Sequence, residues 1–392
     1  MFSRISQDVK LLASLFLPFF LIHCVEFLYL TYGSLLQSYK FSYEATGWIL
    51  GVFFLSAMIS RPLGGWLHER FGARRMLVWS GMLSFTGCSL LFFKQSAALL
   101  IIGRIFSGAG FGIYTTGLFS HQAVCVSEKM RGAMFSLLVI GGILPIGTMT
   151  PIGEWLLLNS QYTLYLAIGA ILSLVCCFLG GRVYISTNGE MSNNDKKSWG
   201  TYSELFSSRS FLFLVSTGTV ISLVDALIVN FSLLAIEKGL VASYFLVSVS
   251  ISAAIIRLAG SHLLNVIPRV VLLAPCGVLM TCSVIMTSFY PTKSIFIAAG
   301  ILFGIAIGAG WPMYHSLIGD LLNPSLRPKG TSTALLLYDA GFFTTPLIVG
   351  YLLPHFGTSW TFVAISVAVG GVLLLLEVFY WLPLYCKLKR LD

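Results

Sequence analysis

The sequence predicts an all-α polytopic membrane protein, with twelve transmembrane helices arranged as two pseudo-symmetric six-helix bundles. Three observations carry this. Of 392 residues, 57% are hydrophobic and only 10% charged, whereas a soluble globular chain carries about 25% charge. The apolar runs come as six, then one long hydrophilic stretch, then six more. The two sets also resemble each other residue by residue. A net charge of +9 would suggest a nucleic-acid partner in a soluble protein. Here it reads as lysines and arginines kept on one membrane face, so the expected partner is the lipid bilayer and no nucleic acid.

A hydrocarbon core needs roughly 20 apolar residues per helix. On that rule helices 1 to 6 fall at 11–36, 46–67, 76–93, 97–125, 132–158 and 163–184. Helix 1 shows no small-residue cleavage site after its apolar run, so it reads as a retained helix and not a signal peptide. Residues 185–208 carry Asn193, Asn194, Asp195, Lys196 and Lys197, and read as the linker between bundles 1–184 and 209–392. The end of the linker, 199–206, reads as a short surface helix. Helices 7 to 12 follow at 210–235, 242–265, 268–290, 295–322, 331–353 and 360–385.

With both ends inside, nineteen lysines and arginines fall on the inner side, Arg61 and Arg257 among them, against four outside: Lys40, Lys94, Lys238 and Lys293. That asymmetry predicts cytoplasmic termini. The eight cysteines are scattered without metal-ligand spacing, so they read as small core residues. No cofactor is expected. A shift of 196 residues aligns Arg61, Gly64 and Leu67 with Arg257, Gly260 and Leu263. A shift of 200 aligns 108–114 with 308–314, and one near 198 sets Arg131 and Gly132 on Lys329 and Gly330.

The stretch between helices 2 and 3 reads Gly-Gly-Trp-Leu-His-Glu-Arg-Phe-Gly-Ala-Arg-Arg, 64–75. Its Gly65, Leu67, Glu69, Arg70, Gly72, Arg74 and Arg75 resemble the G-x-L-x-D-R-x-G-x-R-R loop of the major facilitator superfamily, with Glu in place of Asp. Arg104 with Gly108 is similar to that family's helix-4 motif. The run 141–153, with Pro145 and Pro151, resembles a degenerate form of the family's exporter motif in helix 5, Thr150 standing where a glycine is expected. Residues 338–341, with Pro346 and Gly350, are similar to a pattern in sugar-efflux-like bacterial members. The resemblance implies a secondary transporter alternating access between its halves, in a bacterial inner (plasma) membrane. It implies a small-molecule substrate near the midplane. Export of a drug, sugar or secreted metabolite such as a siderophore, in exchange for protons, is the leading expectation; an importer or uniporter is the alternative. A monomer is expected. No P-loop, HExxH or GxSxG pattern supports an enzyme.

Charges placed in hydrocarbon cost about 2.5–3.5 kcal/mol or more each and default to functional readings. Glu26 and Arg104 fall at similar depth in helices 1 and 4, so a pair between them is expected, either as a structural ion pair or as one broken by a proton or substrate. Asp225 occupies the same count in helix 7 as Glu26 in helix 1. Asp339 lies eight residues into helix 11. These four form the proton-coupling or central-cavity set. Substrate-cavity candidates are His23, Tyr29, Tyr32, Tyr114, Trp311, Tyr314, His315 and Tyr338, chosen as aromatic or imidazole groups that stack on an amphipathic molecule. His121 and Gln122 are further candidates for the inner pathway. Each has a plainer reading as a packed or hydrogen-bonded core group. Glu154 and Glu377 lie nearer helix ends, where water is expected, and receive no transport role. The cytoplasmic gate is expected at Gly65, Glu69, Arg70, Gly72, Arg74 and Arg75, with Arg131 as a partner for Glu69. The second half has Asn265 and Pro268 where Glu69 and Gly72 would align.

Overall fold

The structure, a computed structural model, describes residues 2–94, 96–125, 128–184, 201–259, 268–323 and 325–389. The side chains of Glu69 and Arg131, the Gly65 environment, Asn265 and linker residues 185–200 lie outside the described residues. Those described divide into two compact units, Met1–Ser192 and Asn193–Asp392.

In the first unit, helix α1 (Phe2–Leu28) runs through a 3₁₀ turn, Tyr29–Thr31, into α2 (Tyr32–Ser38). There follow α3 (Tyr43–Phe71), α4 (Ala73–Leu90), α5 (Ala97–Cys125), α6 (Glu128–Leu158) and α7 (Tyr162–Gly180). The second unit repeats the plan after a short exposed helix, α8 (Tyr202–Ser207), closed by a Thr201–Glu204 capping box. Helix α9 (Arg209–Asp225) passes through the 3₁₀ turn Ala226–Asn230 into α10 (Phe231–Glu237). Then come α11 (Ser243–Ala259), α12 (Arg269–Phe289), α13 (Lys293–Leu321) and α14 (Arg327–Leu376). A π-helical turn, Glu377–Trp381, leads into α15 (Leu382–Leu388). No strand occurs among the described residues.

Eight described stretches are long and apolar enough to cross a membrane by length and composition. The last, Lys329–Lys387, has 59 residues and would measure about 89 Å as one helix at ~1.5 Å per residue, against a core of about 30 Å. It is broken at Gly357 (φ 72°, ψ 167°) and so makes two crossings. Together with α4, α6 and α11 these give twelve crossings among the described residues. Gly72, between α3 and α4, has nearly the same backbone (φ 77°, ψ 160°). Both sit in a region that essentially only glycine occupies. Just beyond Gly357, Glu237 at the end of α10 accepts from the Thr358 amide at 3.0 Å and the Ser359 hydroxyl at 2.6 Å. A carboxylate thus caps the N-terminus of the last crossing.

The main contacts within each unit also repeat. Helix α5 packs on α3 and α4, α4 on α7, and α1 on α6; in the second unit α13 packs on α11 and α12, and α14 on α9 and α12. Glycines set the register, since in lipid helix contacts depend on close backbone approach. Gly81 lies against Cys177 and Gly277 against Leu373. Gly108 lies against Phe53 and Ser56, and Gly304 against Val249 and Ser252. Gly112 lies against Ala57 and Ser60, and Gly308 against Ala253 and Ile256. Every matched pair is 196 residues apart. The 200-residue alignment of helix 4 with helix 10 is therefore a slip of one turn. Four residues nearly complete a helical turn, so glycines on one face match almost as well out of register. The same offset sets Asp225 at Tyr29 and Glu26 at Ser222, so Asp225 is not the counterpart of Glu26.

The 3₁₀ breaks have a visible cause. Each frees carbonyls, and hydroxyls satisfy them: Thr31 donates to Tyr165 Oη at 3.1 Å, which donates to the Leu28 carbonyl at 2.9 Å. In the second unit Thr345 donates to the Leu223 carbonyl at 2.9 Å.

Gly72, Gly357 and Gly319 each have open space where a Cβ would go, but only the first two have positive φ. Gly72→Ala and Gly357→Ala are expected to lose about 1–3 kcal/mol through backbone strain alone. Gly319→Ala, inside α13, should gain about 0.5–1 kcal/mol. Unfolding midpoints of the three variants in detergent check the difference in sign.

Candidate functional site

In the second unit four helices bring a polar cluster together. Asp225, at the end of α9, is 3% exposed, and its Oδ2 accepts a 2.7 Å hydrogen bond from the Tyr338 hydroxyl of α14. Its Oδ1 has no hydrogen-bond partner. Arg257 of α11 lies within electrostatic reach of Asp225, Tyr338 and His315, yet makes no ion pair with Asp225. Its Nε and Nη1 are buried without an acceptor. Trp311, Tyr314 and His315, spaced i, i+3, i+4 on α13, share one face. The Trp311 ring lies 4.7 Å from that of Tyr338 and 4.4 Å from His315. With Gly218, Cys276 and Gly310, the rings of Trp311, Tyr314 and Tyr338 wall a narrow, almost wholly apolar pocket. The Tyr314 hydroxyl is used structurally, donating to the Ala334 carbonyl at 3.2 Å. Asp339 follows Tyr338 directly and so stands on a different face of the helix; it is half-buried.

The first unit arranges its charges differently. Arg104 is 2% exposed and packs its guanidinium on Phe53 at 4.3 Å, with Tyr29 and Tyr32 at 5.6 and 5.8 Å. Such cation–π contacts strengthen as water is removed. Its Nε donates to the Ile49 carbonyl at 3.3 Å, and Nη1 has no partner. The Glu26–Arg104 pair expected from depth is not made in this structure: aromatic rings occupy the faces of the guanidinium. At the common offset the position of Arg104 falls to Gly300, which lies against the Phe245 carbonyl, the counterpart of Ile49. Arg104 thus has no charged twin. His23 is held by the Phe19 carbonyl at 2.7 Å and flanked by Phe27 and Phe111. Tyr29 and Tyr32 are 1% and 0% exposed and pack edge-on against each other. Tyr114 is fully buried and donates to the Cys176 carbonyl at 2.7 Å, so it ties α5 to α7. His121 meets the Tyr184 carbonyl at 2.8 Å, while both polar atoms of the Gln122 amide are buried without partners.

Around the expected gate, Arg74 Nε donates to the Val183 carbonyl at 2.9 Å, and Arg70 lies over Trp66 at 5.2 Å. Arg75 is exposed. In the second unit the equivalent end is held by an Arg269–Asp320 salt bridge of 3.0 Å, a pair that no motif signalled. Two sequence expectations need correction. Arg61 and Arg257, counted as inner-face charges, belong to the helix interiors: Arg61 Nη1 reaches Thr115 Oγ1 at 3.5 Å, and Arg257 is placed as described above. Both lie inside the helix bounds drawn from hydropathy, which was the available signal. Glu377 is not at a wetted end; it is 7% exposed, in the π turn, with Oε2 unpartnered.

Two repeated six-helix units with charges buried in mid-helix define a membrane transport protein. The family model of the Major Facilitator Superfamily matches residues 15–295 and again 268–385; the chain belongs to this family. It is an integral, multi-pass membrane protein and not an enzyme. Curated relatives align only locally. Inositol transporter 4 of Arabidopsis thaliana is 32% identical over 91 residues, 22% of this chain and 15% of that protein. The D-xylose transporter of Levilactobacillus brevis is 30% identical over 101 residues, 25% of this chain and 22% of that one. The multidrug resistance protein B homolog of Mycobacterium tuberculosis (strain ATCC 25618 / H37Rv) is 32% identical over 112 residues, 28% and 20%. The matches thus span about a fifth of these relatives' length. Among solved structures, a D-xylose-proton symporter superposes with TM-score 0.72 at 14% identity, covering 93% of this chain and 96% of that one. The human organic anion transporter MFSD10 gives 0.68 at 14% identity, covering 94% and 99%. Both share the fold.

Two tyrosines separate packing from site chemistry. Tyr114→Phe is expected to cost about 0.5–1.5 kcal/mol of stability and leave ligand binding unchanged. Tyr338→Phe strips the buried Asp225 carboxyl of its hydrogen bond, and should alter both stability and ligand binding. Paired melting and binding measurements on the two variants check this.

Proposed function

We propose that the chain is a proton-coupled secondary transporter of a small amphipathic molecule, with Asp225 as a proton-carrying group. The observation that carries the reading is the buried Asp225 carboxyl, bonded to Tyr338 through one oxygen and open at the other, beside an Arg257 that it does not pair with. A carboxylate there draws the guanidinium; a carboxylic acid does not. Gain or loss of one proton therefore decides whether α9 and α11 are pulled together, which gives the chain a chemical event to couple to helix movement. Glu26, half-buried on α1, is a second proton-carrying acid, in the first unit though not at the position equivalent to Asp225, with Arg104 as a partner in another state of the cycle. Asp339 is a further acid at membrane depth.

Export is the direction favoured by the helix-5 run, whose Gly141 and Gly142 lie against Phe16, Phe19 and His23 of α1. A drug, a sugar or a secreted metabolite such as a siderophore fits this reading. Uptake with protons is the second reading, supported by the shared fold with a D-xylose-proton symporter and by local similarity to sugar transporters. The excess of inner-face lysines and arginines supports cytoplasmic termini in a bacterial plasma membrane, and the protein acts as a monomer. The 64–75 loop is the cytoplasmic gate, with Glu69 and Arg131 as its latch.

Inverted vesicles with an acid lumen test the coupling, using a panel of sugars, aromatic carboxylates and amphipathic cations. Export by proton exchange predicts accumulation only while the lumen is acid; symport predicts the opposite gradient requirement. Accumulation indifferent to the gradient would sink the proposal. Asp225→Asn should abolish gradient-driven accumulation while leaving gradient-independent exchange, and Glu26→Gln is expected to act in the same direction.

A further inference from the structure

The internal repeat exposes a missing acceptor. Arg61 and Arg257 are counterparts at the common offset, and so are Thr115 and Trp311. In the first unit Arg61 Nη1 reaches the Thr115 hydroxyl. In the second unit that place is held by an indole, which donates a hydrogen bond but accepts none. The nearest acid, Asp225, spends Oδ2 on Tyr338 and forms no ion pair with Arg257. Arg257 is left with Nε and Nη1 buried and without acceptors. Buried polar groups are nearly always bonded, and an unpaired buried charge is among the costlier arrangements in a protein. Here it lies within electrostatic reach of Tyr338 and His315, two residues whose rings meet that of Trp311, and Trp311 and Tyr338 help wall the apolar pocket.

We propose that Arg257 receives an anionic group of the transported molecule, a carboxylate or another oxyanion, while the ligand's apolar body lies against the Trp311, Tyr314 and Tyr338 rings. This deepens the transport reading and rests on it. Guanidinium matches oxyanions in both charge and geometry. A neutral or cationic ligand would leave the two nitrogens without a counter-charge. The inference departs from the substrate expected from acidic residues alone, since Asp225 is hydrogen-bonded to Tyr338 while Arg257 Nε and Nη1 have no acceptor.

Three probes that share one body isolate the charge: 4-phenylbutyrate, 4-phenylbutanamide and 4-phenylbutylamine, titrated onto the purified full chain and followed by tryptophan fluorescence. The acid is expected to bind at least about tenfold more tightly than the amide or the amine, and Arg257→Gln should erase that preference. Arg257→Lys, which keeps the charge but not the fork, should retain the preference with weaker binding and shows that the site still folds. Equal binding of all three probes, absence of acid binding, or a preference that survives Arg257→Gln would each overturn the proposal. Acid-selective binding without gradient-driven transport would count against the transport reading alone. Transport without acid selectivity would count against this proposal alone.

Discussion

Close backbone contact at glycines is the constraint on which each unit depends. Lipid offers no hydrophobic drive for one helix to leave it for another, so association rests on how near two backbones come. Gly108 and Gly112 press α5 onto α3, and Gly304 and Gly308 press α13 onto α11. Those seams fix the rotation of α3 and α11, and with it where Arg61 and Arg257 point. The polar chemistry is therefore set by positions that carry no side chain at all.

The twelve-helix plan was readable because a membrane helix is a length and composition rule, and the 64–75 loop was readable because its glycine and charges are spaced by a turn. Gly72 shows why: its backbone dihedrals admit hardly any other residue. Register was harder. A glycine-rich face repeats almost every turn, so helices 4 and 10 aligned one turn out, and Asp225 was set against Glu26 when it stands at Tyr29. Partnerships across the fold were not readable. Nothing local to Asp225 points to Tyr338, 113 residues away, and an arginine some turns from a helix end looks the same in sequence whether it meets water or a buried ring. Glu377 was misplaced for the same reason: distance from a helix end does not tell which face is covered.

The two units handle buried charge by different means. In the first, Arg104 is wrapped in Phe53, Tyr29 and Tyr32, which supply π faces, plus one carbonyl. In the second, the acid is satisfied by a phenol and the guanidinium is left short of acceptors. The hydroxyls that cover the freed carbonyls at the 3₁₀ turns, Tyr165 in the first unit and Thr345 in the second, follow the same logic on the backbone, because unsatisfied groups in hydrocarbon must find partners within the protein. Irregular helix is tolerated where a threonine or tyrosine is on hand to complete it.

The exchange of Arg104 for Gly300 reaches beyond local packing. Phe245 and Ser248 close so tightly on Gly300 that no side chain fits there, while the first unit at the equivalent place holds the largest cation available. Two copies of either half would consequently not rebuild this protein: one pairing would carry two wrapped arginines and the other none. The two halves of the repeat have thus become specialised parts and are no longer interchangeable copies.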